Sequence, residues 1–187
     1  MSAVPRQRAF IGLGGNLGDV QVRLRAAVAG LRSLPGTQVE AVSSLYRTLP
    51  VESSGPDYLN AVAVLQSCLG PRELLRALHA LEHTHDRERP YQNAPRTLDL
   101  DLLDYGGHRC HGPFLTLPHP RMMKRAFVLE PLVEVLARLP APTALKLPDA
   151  ATRQTLAHQQ GIAWLASPAW ADLRDGSGDH PRPDRSV

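Results

Sequence analysis

Two windows of 3.6-residue apolar period, each flanked by extended apolar segments, constrain this chain most. The first follows Asp19, a residue suited to capping a helix, and repeats through Val20, Leu24, Ala27, Val28 and Leu31 before Pro35-Gly36 stops it. The second opens at Pro71 and carries Leu74, Leu75, Leu78 and Leu81. Around them the pattern predicts strands. Ala9 to Gly14 reads as a buried strand entering a glycine turn, and Val39 to Thr48 is β-branched and aromatic. Asp57 to Ser67 alternates Leu59, Ala61, Ala63 and Leu65 against Tyr58, Asn60, Val62 and Val64, and Thr97 to Tyr105 runs into Gly106-Gly107. The order β-α-β-β-α-β predicts an α+β fold, a ferredoxin-like split βαβ sandwich whose antiparallel sheet has its helices packed on one face.

Beyond this core, a hairpin return is expected through Phe114 to Leu117, and a helix near Arg125 to Leu136. Past Pro140 the chain turns Ala/Pro-rich. One domain over 8–150 is expected, with 151–187 a helical extension ending in a disordered tail from Gly176. At 187 residues and 43% hydrophobic content there is enough apolar surface for one core. No apolar run approaches bilayer length, the first ten residues hold no apolar leader, and Cys68 and Cys110 form no CxxC pair. A cytoplasmic protein is expected.

Only Lys124 and Lys146 are lysines among 21 basic residues, and between Arg87 and Arg125 six arginines and one lysine face four acids. With aromatics at 5%, this basic stretch suits a small phosphorylated ligand better than nucleic acid. The sequence Gly12-Leu13-Gly14-Gly15-Asn16-Leu17-Gly18 misses the GxGxxG spacing by one residue, and no GxxxxGK[ST] occurs. It is either a structural strand-to-helix turn or one whose backbone N–H groups approach a ligand. His79-Ala80-Leu81-Glu82-His83 matches a zinc-protease pattern but lacks a downstream third ligand and sits among arginines.

The most informative motif is Arg96-Thr97-Leu98-Asp99-Leu100-Asp101. Residues two apart on a strand share a face, so Asp99 and Asp101 point together and away from Leu98, Leu100 and Leu102. Paired carboxylates are solvated acids on an edge strand or ligands of divalent cations, and oxygen ligands select Mg²⁺ over zinc. Next to an arginine-bearing loop they describe phosphoryl transfer. Tyr58 and Asn60, two apart on one strand, either pack in the core or hold a flat polar ring. Phe127, after Lys124-Arg125, has the same two readings.

Taken in order, IGLGGNLGD, SSLYRT, PDYLNAV, ELLRALHALE, APRTLDLDLL, LPHPRM and RAFVLEPL resemble the 6-hydroxymethyl-7,8-dihydropterin pyrophosphokinase family of folate biosynthesis over about residues 10–140. The resemblance implies an ATP-dependent diphosphokinase that moves a diphosphoryl group to the pterin's hydroxymethyl oxygen and releases AMP. It implies two Mg²⁺ ions on Asp99 and Asp101, with ATP as co-substrate. It assigns the pterin to Thr48, Tyr58, Asn60 and Phe127, and ATP to Glu82, Arg87, Arg89, Arg96, His119 and Arg125, with Arg87 and Arg96 also catalytic. The partners expected are those two small molecules, with no nucleic acid or membrane, acting on a monomer or weak homodimer. The chain departs from the family pattern at Asn93, where many members carry tryptophan. It departs again at Leu49, where proline is common, and at Glu52 and Ser53, in place of a glycine-bearing stretch.

Overall fold

The computed structural model describes residues 5–49, 55–84 and 97–172. The central strands are β1 (Gln7–Gly15) and β4 (Tyr58–Ser67), antiparallel and paired from Gln7 opposite Ser67 to Gly15 opposite Leu59. On the other side of β1 lies β5 (Asp99–Tyr105), also antiparallel. Beyond β4, one lane is shared by β2 (Thr37–Val42) and β3 (Leu45–Thr48), and the sheet order is β5-β1-β4-β3-β8, where β8 is Ala163–Ala166, with β2 also paired to β4. This is the antiparallel split βαβ arrangement that the periodicities predict.

Helices α1 (Val20–Arg32) and α2 (Pro71–His83) cover one face. Asp19 accepts the Val22 N–H at 3.1 Å to start α1, and the Glu73 carboxylate accepts the Gly70 N–H at 2.9 Å to start α2. Their stripes of Leu24, Val28, Leu31, Leu74 and Leu78 bury against Ala9, Ile11, Leu13, Ala61, Ala63 and Leu65. The helix expected near residue 125 is α3 (Ala126–Leu136), and it does not join this layer. It packs Val128, Leu132 and Val135 on the opposite face, over Phe10, Val62, Val64 and Leu103. The middle of β4 requires this, because even-numbered Val62 and Val64 are as apolar as odd-numbered Ala61, Ala63 and Leu65 and need their own cover.

The strand expected over 39–48 is broken at Ser43-Ser44. The Ser43 hydroxyl accepts the Val62 N–H (3.0 Å) and donates to the Ser44 carbonyl (2.7 Å), while the Glu134 carboxylate of α3 accepts from the Ser44 N–H, the Ser44 hydroxyl and Tyr46 Oη–H. Serine side chains have taken over the ladder's hydrogen bonding here. Burial and the Glu134 carboxylate together push the Tyr46 phenol well above its ordinary range.

A short hairpin, β6 (Cys110–His111) with β7 (Thr116–Leu117), follows β5. The expected helical extension is present as α4 (Ala150–Gln159), capped by Asp149 on the Thr152 N–H at 2.7 Å. The chain then returns to the sheet as β8 (Ala163–Ala166), antiparallel to β3, and places Trp170 in the core at 1% exposure, its indole N–H on the Ser43 carbonyl at 2.9 Å. Among the described residues no helix is long and apolar enough to cross a membrane.

Candidate active site

The α3-bearing face of the sheet carries a polar end beyond the N-terminus of that helix. Two glycines form its floor. Gly14 of β1 pairs with Asp99 on one side and Asn60 on the other, and Gly12 pairs with Asp101 and Val62. Directly paired residues share a face, so Asp99 and Asp101 stand along one wall and Asn60 along the other, with no side chain between them. A β-carbon at Gly14 would lie 3.1 Å from Asn60 Oδ1, whereas one at Gly12 would make ordinary contact with Leu103 at 3.5 Å. Gly12 and Gly14, expected in a strand-to-helix turn, lie within β1 instead, and leave bare backbone between the two walls; the turn itself is confined to residues 16–19.

On the β4 wall, buried Asn60 donates from Nδ2 to Thr48 Oγ1 at 2.9 Å, tying β4 to β3, while Tyr58 sits opposite Thr48 and is half-buried. Buried Asn16, whose role the sequence reading missed, donates to the Pro56 carbonyl at 3.2 Å and so tethers the segment before Tyr58 to the glycine turn. An Asn inside a glycine turn was its only signal.

On the β5 wall, a register shift opposite Phe10 and Ile11 leaves Leu103 unpaired with β1. The Leu103 carbonyl accepts the His119 N–H at 2.7 Å, which brings the His119 ring beside the carboxylates. His119 Nδ1 accepts the Arg121 N–H at 3.2 Å, so the neutral ring carries its proton on Nε2. Burial lowers the His119 pKa; the negative charges of Asp101 and Asp99 oppose that, and Arg125 and Arg121 reinforce it. The Arg125 guanidinium lies 3.7 Å from Asp101 Oδ2 and 5.3 Å over the Phe127 ring centre, linking the carboxylate wall to the aromatic at the start of α3.

Glu82 stands apart from this surface. It is 1% exposed on α2, behind β5, and its Oε1 accepts the N–H of Leu100 at 2.8 Å. That bond holds the residue between the two aspartates. His79 and His83 are exposed on α2 while Glu82 turns inward to the Leu100 N–H, so the zinc pattern's acid does not join its two histidines. Among the described residues no group of three or more His, Cys, Asp or Glu side chains is arranged to hold a metal ion. A two-carboxylate site fits Mg²⁺, which takes the rest of its shell from water and phosphate oxygens. Thr48, Tyr58, Asn60, Asp99, Asp101, His119, Arg125 and Phe127 are therefore gathered on one face. Arg87, Arg89, Arg96, Asn93, Glu52 and Ser53 lie outside the described residues.

Comparison with known proteins identifies the family. The model of the 7,8-dihydro-6-hydroxymethylpterin-pyrophosphokinase (HPPK) family matches residues 10–137. The chain is 45% identical over 127 residues to a 2-amino-4-hydroxy-6-hydroxymethyldihydropteridine pyrophosphokinase of Synechocystis sp., covering 68% of this chain and 65% of that one. It is 40% identical over 144 residues to the protein of the same name from Pseudomonas aeruginosa, covering 76% of this chain and 89% of that one. A crystal structure of HPPK-DHPS in complex with substrates superposes with a TM-score of 0.59 at 13% identity, over 83% of this chain and 44% of that one, and shares its fold. On the extent of the family match and the identity to these relatives, the chain belongs to the HPPK family of pyrophosphokinases.

Proposed function

We propose that the protein transfers a diphosphoryl group from ATP to the hydroxymethyl oxygen of 6-hydroxymethyl-7,8-dihydropterin, releasing AMP, as a step of tetrahydrofolate synthesis. The observation that carries this reading is the rung Asp99–Gly14–Asn60, which sets a carboxylate wall and an amide wall on either side of bare backbone. A phosphate chain needs cations and a pterin needs amide groups and flat apolar surface, and the two walls offer one each.

In this reading Asn60 and the Thr48 segment hold the polar edge of the pterin, and Tyr58 and Phe127 pack on its faces. Asp99 and Asp101 would hold two Mg²⁺ ions, whose positive charge would offset the negative charge of the ATP phosphates. The hydroxymethyl oxygen forms a bond to that phosphorus, its proton leaving to solvent. The bond from the β-phosphorus to the oxygen bridging the α- and β-phosphates breaks, and AMP departs with that oxygen. Arg125 and His119 Nε2–H donate to phosphate oxygens in this reading, and Arg87, Arg89 and Arg96 add further positive charge. Glu82 serves the ATP side indirectly, by holding Leu100 and with it both carboxylates. The rate then comes from alignment and charge neutralisation, and no nucleophilic side chain is needed. In this reading the protein acts on two small molecules, as a monomer or weak homodimer in the cytoplasm.

The test is product analysis after mixing protein, ATP, Mg²⁺ and 6-hydroxymethyl-7,8-dihydropterin. AMP should appear one-for-one with pterin diphosphate and vanish on chelation. ADP in place of AMP would refute attack at the β-phosphorus, and turnover indifferent to chelation would refute the metal-dependent mechanism.

A further inference from the structure

We propose that Gln160, in the turn between α4 and β8, is a positioning residue that fixes Arg125 and Phe127 from outside the family-matched segment; this rests on the roles given to those two residues above. Helix α3 begins at Ala126 with Arg125 as its N-cap, and the Arg125 side chain makes no capping bond. The first N–H groups of a helix have no partner within it. Gln160 supplies one from 34 residues away: its Oε1 accepts the Ala126 N–H at 2.8 Å, and its Nε2 donates to the Lys124 carbonyl at 2.9 Å. One primary amide thus grips the peptide groups on both sides of Arg125.

Arg125 itself is extended, with φ −117° and ψ 110°, so the amide pairs with it much as a neighbouring strand would. Two bonds at the fixed spacing of an amide resist rotation of either peptide. They therefore set the direction in which the Arg125 side chain leaves the backbone, and the entry angle of the turn that carries Phe127. Those are the residues that reach Asp101 and present the aromatic face.

The turn that carries Gln160 is itself held. Gln160 N–H donates to the Leu156 carbonyl at 2.9 Å, and Gly161 closes the helix at φ +58°, a left-handed conformation that disfavours any side chain. Leu49 lies against this turn, since a β-carbon at Gly161 would sit 3.0 Å from Leu49 Cδ1. Leu49 directly follows Thr48. The same turn therefore abuts the Thr48 end of one wall while gripping the Arg125 end of the other.

Gln160→Leu keeps most of the volume and removes both bonds. Binding of α,β-methylene-ATP with Mg²⁺, and of 6-hydroxymethylpterin, is measured by calorimetry beside steady-state turnover. Freeing Arg125 and Phe127 by loss of both bonds predicts roughly tenfold weaker binding of the nucleotide analogue and a similar fall in kcat/KM. Asp149→Ala removes the α4 cap at Thr152 without touching the grip and serves as the stability control. It should lower Tm yet leave analogue binding within about twofold. Gln160→Glu, which keeps the acceptor but not the donor, should fall between wild type and Gln160→Leu. Unchanged binding in Gln160→Leu, or an equal loss in Asp149→Ala, overturns the assignment. Wild-type turnover to AMP with an unaffected Gln160→Leu would fail this inference alone, whereas a wild type that releases no AMP would fail the proposed reaction as well.

Discussion

The hydrogen bond from Trp170 to Ser43 invites a double-mutant cycle whose outcome follows from the local geometry. In the lane beside β4, Ser43 N–H donates to the Val62 carbonyl at 2.9 Å, but the Val62 N–H is taken by the Ser43 hydroxyl instead of the Ser43 carbonyl. The carbonyl so released accepts the Trp170 indole N–H. Trp170→Phe leaves that buried carbonyl unpaired, at about 1–3 kcal/mol, and opens a gap where the larger ring stood, for a total of about 3 kcal/mol. Ser43→Ala orphans the Val62 N–H instead, at about 1–3 kcal/mol. In the double variant the two orphans face each other across the ladder. Their pairing should return about 1 kcal/mol, more than the roughly 0.3–0.5 kcal/mol within which independent sites add. Urea unfolding followed by far-ultraviolet circular dichroism is the suitable assay, since Trp170→Phe leaves the exposed Trp164 as the one tryptophan. Additivity within about 0.5 kcal/mol would refute the exchange of partners.

Three further outcomes are expected. Asp101→Asn should lower turnover by roughly several orders of magnitude through loss of a cation ligand, yet change stability by less than about 1 kcal/mol because its ion pair with Arg125 is long and partly solvated; near-normal turnover would remove the carboxylates from the mechanism. Gly14→Ala presses a β-carbon on Asn60 Oδ1 and should weaken pterin binding by about tenfold, whereas Gly12→Ala, with ordinary contacts, should change it by less than about threefold; titration of the pterin into each variant decides this, and equal effects would refute the floor. Burial raises the Asp104 carboxyl above its ordinary range, against the opposing Gly107 N–H and the nearby charge of His108 and Arg109. The folded state then keeps a proton that the unfolded chain has lost, so this group's contribution to stability falls as pH rises from the unfolded pKa, about 3.9, through the folded value. Asp104→Asn should therefore stabilise the protein at pH 7 and lose that advantage below about pH 4; a pH-independent effect would refute the burial argument.

The core was legible because its strands and helices each repeat their apolar residues at their own period, and the Asp99/Asp101 pair because a strand's period of two forces both to one side. Three features escaped. The break at Ser43-Ser44 lies inside a β-branched run, and only the Glu134 carboxylate, ninety residues away, distinguishes those serines from ordinary strand residues. Strand β8 is four residues long and exposed over three of them, so it carries no alternation to read. Trp170, like Trp164, sits in Ala/Pro-rich sequence with no period to place it, and its burial depends on reaching a carbonyl 127 residues earlier. The grip of Gln160 is invisible for the same reason, since a side-chain amide bonded to main chain imposes no pattern on its neighbours.

The rung through Asp99, Gly14 and Asn60 also acts as a ruler. Adjacent strands stand about 4.8 Å apart, so two spacings put the two outer α-carbons about 10 Å from each other. That span is a property of peptide groups and no side-chain exchange on either strand alters it. The irregularity in β5 falls at Leu103, past both aspartates, and leaves the measured stretch in register. Sequence change can therefore retune what is held at either end of the span while the length of the span stays constant.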